Sequence, residues 1–508
     1  MSIKGKILSS SLWSVAGSGA TMLSSFVVFA VMTHLLRPID FGLVAFAALF
    51  IDTTRGLMCG PFSEALIQRK EWDDTTASTG FWMNLASAIG SAVAIAAIAA
   101  PLAGIYGSAT MAEVFLVLST SLVVDAVRGV HEAKLQRDFG YKVLAIRTAV
   151  ASVVSGVAGV LMALAGFGVW ALVGNRLIAS VLQTIIILRT VPWSPKLVFS
   201  RSQCSALFGF GANMMGARLL GQLNVRVAEF VVGFVLGPVP LAFFRVGSRA
   251  LNFLNQLAVA PIQTTALSAF SRLKDARAVG SAYLRMTRAT ALVTFPVFLG
   301  AASIAPDFVA VCFGNQWRAS GPIMSALALV VTPATLLYFT QPALASLGRT
   351  RLMLASNLAV FVLNAIAAFA TVGFGAVAVA AGQSARAHIT APFALSMLQR
   401  GVGLPIMRSL RAIVEPGVAA GLMAALVVAA RWYVLQDLSP LSRMVISVFL
   451  GALVYTSLLL TVARGYTAEV MLELAPHLPG VARRAVEGLV LRIRRAAHGP
   501  VIAPSLKE

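Results

Sequence analysis

Apolar stretches of eighteen or more residues, nearly free of charge, recur along this chain from its first tens of residues to about residue 463. A bilayer core roughly 30 Å thick needs about 20 apolar residues in one helix. In lipid a spanning helix satisfies all its backbone hydrogen bonds within itself. The strands of a membrane barrel would instead alternate over about ten residues, which these runs do not do. Composition agrees. The chain has 508 residues, 58% hydrophobic and 12% charged, with mean hydropathy +0.85. A soluble chain carries about 25% charged residues. The expected fold class is an all-α polytopic membrane protein of about fourteen transmembrane helices. Hydropathy puts them near 8–35, 41–66, 77–104, 111–133, 143–165, 168–188, 206–236, 241–268, 283–311, 319–345, 352–372, 376–398, 411–430 and 444–463. The first run reads as an uncleaved anchor, too long for a signal peptide.

The net charge of +21 tests this count. With the N-terminus in the cytoplasm, 28 of the 40 Lys and Arg fall inside, among them Lys134, Arg137, Lys142, Arg147 and the tail group Arg483, Arg484, Arg492, Arg494 and Arg495. Only Arg37, Arg318, Arg431 and Arg443 fall outside, and eight lie within spans. That asymmetry is what the positive-inside rule demands. It places both termini in the cytoplasm of an inner-membrane protein, with the basic residues facing anionic membrane lipids rather than nucleic acid. The tail reads as an amphipathic helix on the inner leaflet. Cys59, Cys204 and Cys312 are far apart and offer neither a disulfide framework nor metal spacing.

Self-comparison reveals a repeat. Leu35-Leu36-Arg37-Pro38 answers Val235-Leu236-Gly237-Pro238, and Pro61 with Ala65-Leu66 answers Pro261 with Ala266-Leu267. Tyr106-Gly107 answers Phe313-Gly314, and Gly166-Phe167-Gly168-Val169 answers Gly373-Phe374-Gly375-Ala376. The expected domains are therefore two parallel six-helix bundles, 1–200 and 201–405, two additional helices in 406–465, and a basic cytoplasmic tail, 466–508. Parallel halves commonly rock against each other about a shared site.

Charges within the spans point to the ligand, since each is costly in lipid and normally faces a cavity. The cations are Arg55, Arg128, Arg176, Arg218, Arg226, Arg245, Arg249 and Arg386; the acids are Asp52, Asp125 and Glu229, with Glu64 and Glu132 nearer span ends. Asp52 and Arg55 are three apart, as are Asp125 and Arg128, so each pair can neutralise itself on one helix face. The surplus then sits on spans six, seven, eight and twelve. Surplus arginine suits an anion, above all phosphate, which a guanidinium grips with two hydrogen bonds. Arg55, Arg128, Arg176, Arg218, Arg245, Arg249 and Arg386 are the expected substrate-binding residues. Asp52, Asp125 and Glu229 are candidates for proton or sodium coupling. No metal spacing, phosphate loop or nucleophile elbow is present, so neither a cofactor nor an enzymatic reaction is expected.

Several segments resemble the bacterial oligosaccharide flippases of the multidrug/oligosaccharidyl-lipid/polysaccharide exporter superfamily, closest to the Wzx-type branch that serves exopolysaccharide and lipopolysaccharide synthesis. They are LLRPIDFG (Leu35 to Gly42), SEALIQRKEWDD (Ser63 to Asp74), FWMNL (Phe81 to Leu85), EAKLQRDFGYK (Glu132 to Lys142), GFGVWALV (Gly166 to Val173), FGNQW (Phe313 to Trp317) and ASLGRTR (Ala345 to Arg351). The resemblance implies a flippase that moves a polyprenyl-diphosphate-linked oligosaccharide by alternating access, with the polymerase and export machinery of its pathway as possible partners. Relatives often carry an acid on the seventh span near Val227-Ala228-Glu229, and Glu229 would take that part. The rival readings are a multidrug or lipid II exporter of the same superfamily, and a membrane glycosyltransferase or polymerase. Cationic drugs would want an anionic cavity, and membrane glycosyltransferases and polymerases normally need a sizeable outer loop.

Overall fold

The computed structural model describes residue 19 and residues 21–68, 72–273, 275–461 and 465–466, without the side chains of 58–64, 68, 206–218, 220, 261, 264–265 and 350. The described residues are mostly helical and contain no strand. Helix α1 is Thr21–Leu35. It is followed by α2 (Pro38–Gln68), α3 (Asp74–Tyr106), α4 (Ala109–Arg137), α5 (Tyr141–Leu164), α6 (Val169–Thr190), α7 (Arg201–Leu236), α8 (Pro238–Ala258) and α9 (Ala260–Phe270). Then come α10 (Ala276–Cys312), α11 (Ser320–Ala328), α12 (Val331–Leu337), α13 (Thr340–Ser346), α14 (Thr350–Val372), α15 (Ala376–Val402), α16 (Ile406–Tyr433) and α17 (Pro440–Thr461).

Each expected span meets helix, and two of them are broken. Among the described residues eight helices are long and apolar enough to cross a membrane, or nine with one bent pair counted as a single span. The chain is thus a multi-pass helical membrane protein; the figure of fourteen stays a sequence expectation. The span expected at 241–268 divides at Val259 into α8 and α9. The span expected at 319–345 divides into α11, α12 and α13, with a 42° bend after α11. Pro261 explains the first break and Pro333 and Pro342 those of the second span, because a proline supplies no N–H to the preceding turn and its ring collides with it. The amphipathic tail falls outside the described residues.

Local chemistry sets the helix ends. Asp73 caps α3 by accepting the N–H groups of Thr75 (3.1 Å) and Thr76 (2.9 Å). Gly107 ends it at φ 61°. Its counterpart in the repeat, Gly314, also takes positive φ, as do Gly168 and Gly375. Helix α5 shows why these segments suit lipid. Its outer face is Val150, Val153, Val157, Leu161 and Leu164, all exposed. Its inner face is Ala151, Ser155, Gly156, Gly159 and Ala163. Small residues inside let helices approach closely, and large apolar ones outside meet acyl chains.

The chain forms two compact units. The first is 1–246 with 312–319 and 364–379; the second is 247–311, 320–363 and 380–508. In the first, α2 packs on α3, α4, α6 and α7, and α5 packs on α6. The segment 312–319 holds its place there through FGNQW. Gln316 Nε2 donates to Thr33 O (2.5 Å) and Leu36 O (3.1 Å), and Trp317 Nε1 donates to Thr33 O (2.8 Å). These carbonyls end α1 and have no helical partner of their own, so the motif is a cap supplied from a distant stretch of chain. Gly42 lies against the Pro238 backbone, and a Cβ there would collide with it. In the second unit α16 packs on α12 and α17. Arg431 and Arg443 both reach Asp307, at 2.7 and 3.7 Å. In the first unit Arg37 likewise lies 3.6 Å from the carboxylate of Asp40.

Candidate functional site

The interior charges of the first unit do not stand as separate pairs. They form one chain of contacts across α2, α4, α5, α6 and α7. Arg147 on α5 pairs with Glu132 on α4, which also takes Arg128 Nε at 3.2 Å. Arg128 Nη1 lies 3.2 Å from Asp125. Asp125 Oδ2 lies 2.6 Å from Arg55 Nε on α2, an ion pair whose N–H direction falls outside hydrogen-bond geometry. Arg55 Nη1 lies 3.5 Å from Asp52. Asp52 in turn accepts a hydrogen bond from Arg176 on α6 and lies 3.7 Å from Arg226 on α7.

Neutral groups complete the network. Ser180 Oγ donates to Asp125 (2.6 Å) and Arg128 Nη1 donates to Gln183 Oε1 (3.0 Å). Arg55 Nη2 donates to Ser121 Oγ (3.3 Å). The side chain of Asp125 is 2% exposed and that of Arg128 14%, against 31% for Arg55 and 28% for Arg176. The network is therefore buried at Asp125 and open toward Arg55, Arg176 and Arg226.

Its stoichiometry is unequal. Arg55, Arg128, Arg147, Arg176 and Arg226 share Asp52, Asp125 and Glu132, which leaves two cations in surplus. Three guanidiniums converge on the single carboxylate of Asp52. A ligand with more negative charge and more acceptor oxygens than a carboxylate satisfies such a cluster better. Uncompensated buried charge is strongly unfavourable, so the surplus is expensive unless it serves binding.

The sequence expectations divide as follows. Arg55, Arg128, Arg176, Asp52 and Asp125 are brought together. Their pairing differs from the local one: Arg55 approaches Asp125 more closely than Asp52, and Arg176, counted as surplus, holds Asp52. Helix packing overrides spacing here because guanidiniums reach across to neighbouring helices. Arg245 pairs with Glu229 at 2.9 Å and lies within electrostatic reach of Asp52 and Arg176. Arg249 is exposed and belongs to the second unit, as does Arg386. The Arg218 side chain lies outside the described residues. The sequence reading missed Arg147 and Glu132 as site residues. It took Arg147 for a loop signal, yet that residue is buried within α5 at 6% exposure. It also missed Asp307, whose partners lie more than a hundred residues away.

This helical arrangement matches the fold of a solved lipid flippase. The solved structure of lipid II flippase MurJ in an inward closed conformation matches it with a TM-score of 0.73 at 16% identity, covering 87% of this chain and 98% of that one. Residues 31–322 match the model of the family described as "Polysaccharide biosynthesis protein", and the chain belongs to that family. It is similar to the succinoglycan biosynthesis transport protein ExoT of Rhizobium meliloti, 24% identical over 64% of this chain and 66% of that protein, just under two thirds of its length. It is also similar to the lipopolysaccharide biosynthesis protein WzxC of Escherichia coli, 21% identical over 65% of this chain and 68% of that protein. The stretch matched by the family model contains the whole arginine network.

Proposed function

We propose that the chain flips a polyprenyl-diphosphate-linked oligosaccharide from the inner to the outer leaflet of the inner membrane, by alternating access, for exopolysaccharide or lipopolysaccharide synthesis. The observation that carries this reading is the surplus of guanidinium over carboxylate in the first unit, with three arginines converging on Asp52. A diphosphate offers several acceptor oxygens to such a cluster, and Arg55, Arg176 and Arg226 are the open arginines of the network. Arg128, Arg218 and Arg245 are assigned to the same cationic path, and Arg249 to a substrate contact within the second unit. Asp52 stands in as the internal counter-ion that the diphosphate displaces. Asp52, Asp125 and Glu229 are the ion-coupling residues of this proposal. A cationic drug would meet repulsion at this cluster. A glycosyltransferase or polymerase would need room for an outer catalytic loop, and connections between described helices run to ten residues at most.

In this proposal both termini are cytoplasmic, basic residues face anionic lipids, and the polymerase and export machinery of the pathway act downstream. A reporter fused after Glu508 should be active only in the cytoplasm; periplasmic activity overturns the orientation. The central test is a deletion strain. Lipid-linked repeat units should accumulate in the inner leaflet, polysaccharide export should stop, and wild type but not Arg176→Ala should restore it at equal membrane level. Normal export without accumulation in the deletion strain refutes the proposal.

A further inference from the structure

Arg386 differs from the interior arginines of the network. Arg55, Arg128, Arg147, Arg176, Arg226 and Arg245 each have a carboxylate within 4 Å. Among the described residues Arg386 has none, and its Nε is buried without a hydrogen-bond partner. It lies on α15 ten residues after Ala376. At 1.5 Å per residue that is roughly 15 Å along the axis, about half the depth of a bilayer core. Its Nε is packed against protein while the residue as a whole is half-buried.

One turn earlier on the same face is Gln383, 7% exposed, whose amide Nε2 is also buried without a partner. Between them Ser384 Oγ donates to Ala326 O on α11 (2.5 Å). That bond fixes this turn of α15 against α11 and holds the two side chains in place. Buried donors without acceptors cost on the order of 1–3 kcal/mol each, more when charged. A guanidinium and an amide side by side, both lacking acceptors, are complementary to a multi-oxygen anion.

We propose that Gln383 and Arg386 form a phosphate-binding subsite within the second unit that takes the diphosphate of the lipid-linked substrate during transport. The identity of that substrate rests on the function proposed above; the anion chemistry rests on the two orphaned donors. Arg386 supplies charge and a two-pronged grip, and Gln383 adds a neutral donor to a phosphate oxygen. An anionic phospholipid headgroup would offer the same phosphate chemistry, and the experiment separates the two sources.

Full-length purified protein is titrated in neutral detergent with farnesyl diphosphate, inorganic diphosphate and phosphatidylglycerol, with binding followed by thermophoresis. Both diphosphates should bind. Affinity should fall about tenfold or more in Arg386→Gln and severalfold in Gln383→Leu, while Arg386→Lys keeps part of it. Arg386-dependent binding of phosphatidylglycerol alone would make this a lipid-headgroup site and overturn the substrate role. Equal affinity of wild type, Arg386→Gln and Gln383→Leu for every probe would overturn the subsite. If Arg386→Gln does not fold, Arg386→Lys and Gln383→Leu decide on the same criteria. The outcome is separable from the fate of the proposed function. When the deletion strain accumulates precursor but Arg386→Gln restores full export, the subsite alone is wrong. When the deletion strain accumulates none, the function itself is wrong.

Discussion

Asp125 is the deepest carboxylate of the network, and its removal should be the most destabilising single change there. In Asp125→Ala, Arg55 loses its 2.6 Å partner and keeps only Asp52 at 3.5 Å. Arg128 loses a contact at 3.2 Å and keeps Glu132, also at 3.2 Å. Ser180 loses the acceptor of its 2.6 Å hydrogen bond. Breaking a buried ion pair on one side costs about 3–5 kcal/mol. The remaining carboxylates soften the loss, so about 3 kcal/mol is expected here. Removing the cation as well relieves much of it. The double variant Asp125→Ala, Arg55→Ala should therefore cost less than the sum of the single variants, by about 1–3 kcal/mol. The assay is unfolding of the purified protein in mixed dodecylmaltoside–SDS micelles, read as a double-mutant cycle. The same cycle on Asp52 and Arg55, at 3.5 Å, should give a smaller coupling. Additive effects for Asp125 and Arg55, within about 0.5 kcal/mol, would refute the network as an energetic unit.

Two further outcomes follow from single contacts. Asp307→Asn leaves Arg431 and Arg443 without their carboxylate, so folded yield should drop by the equivalent of about 3 kcal/mol, while export per folded molecule stays at the wild-type level; lost export at normal yield would refute a purely structural role. Trp317 is fully buried and packs edge-on against Phe41 at 5.1 Å. Trp317→Phe loses one hydrogen bond to Thr33 O, which keeps that of Gln316, so it should cost about 1 kcal/mol, and Trp317→Ala about 3–5 kcal/mol; equal midpoints for both variants in the micelle assay would show that the indole N–H, not packing, is what matters.

The sequence by itself determined the class of this protein. Hydropathy is a sum over neighbours in the chain, so runs such as 77–104 and 411–430 declare themselves without knowledge of the fold. Charge placement and the FGNQW, LLRPIDFG and ALIQR segments were legible for the same reason: each is a local string. The strings did not say what they do. FGNQW proved to be a cap for carbonyls of α1, with Gln316 and Thr33 separated by 283 positions. The partners of the charges were decided only by tertiary structure. Spacing of three pairs Asp52 with Arg55, but Arg176 reaches Asp52 from 124 positions away. Arg147 read as a surface signal and became a buried member of the network because α5 packs it against Glu132. Arg386 stood out in the sequence only as one of eight interior cations and Gln383 not at all, since lacking a partner is a property of the whole surrounding bundle. The physical reason is reach: a backbone chooses its helices from nearby residues, whereas a guanidinium in low dielectric binds whichever carboxylate packing brings within about 4 Å.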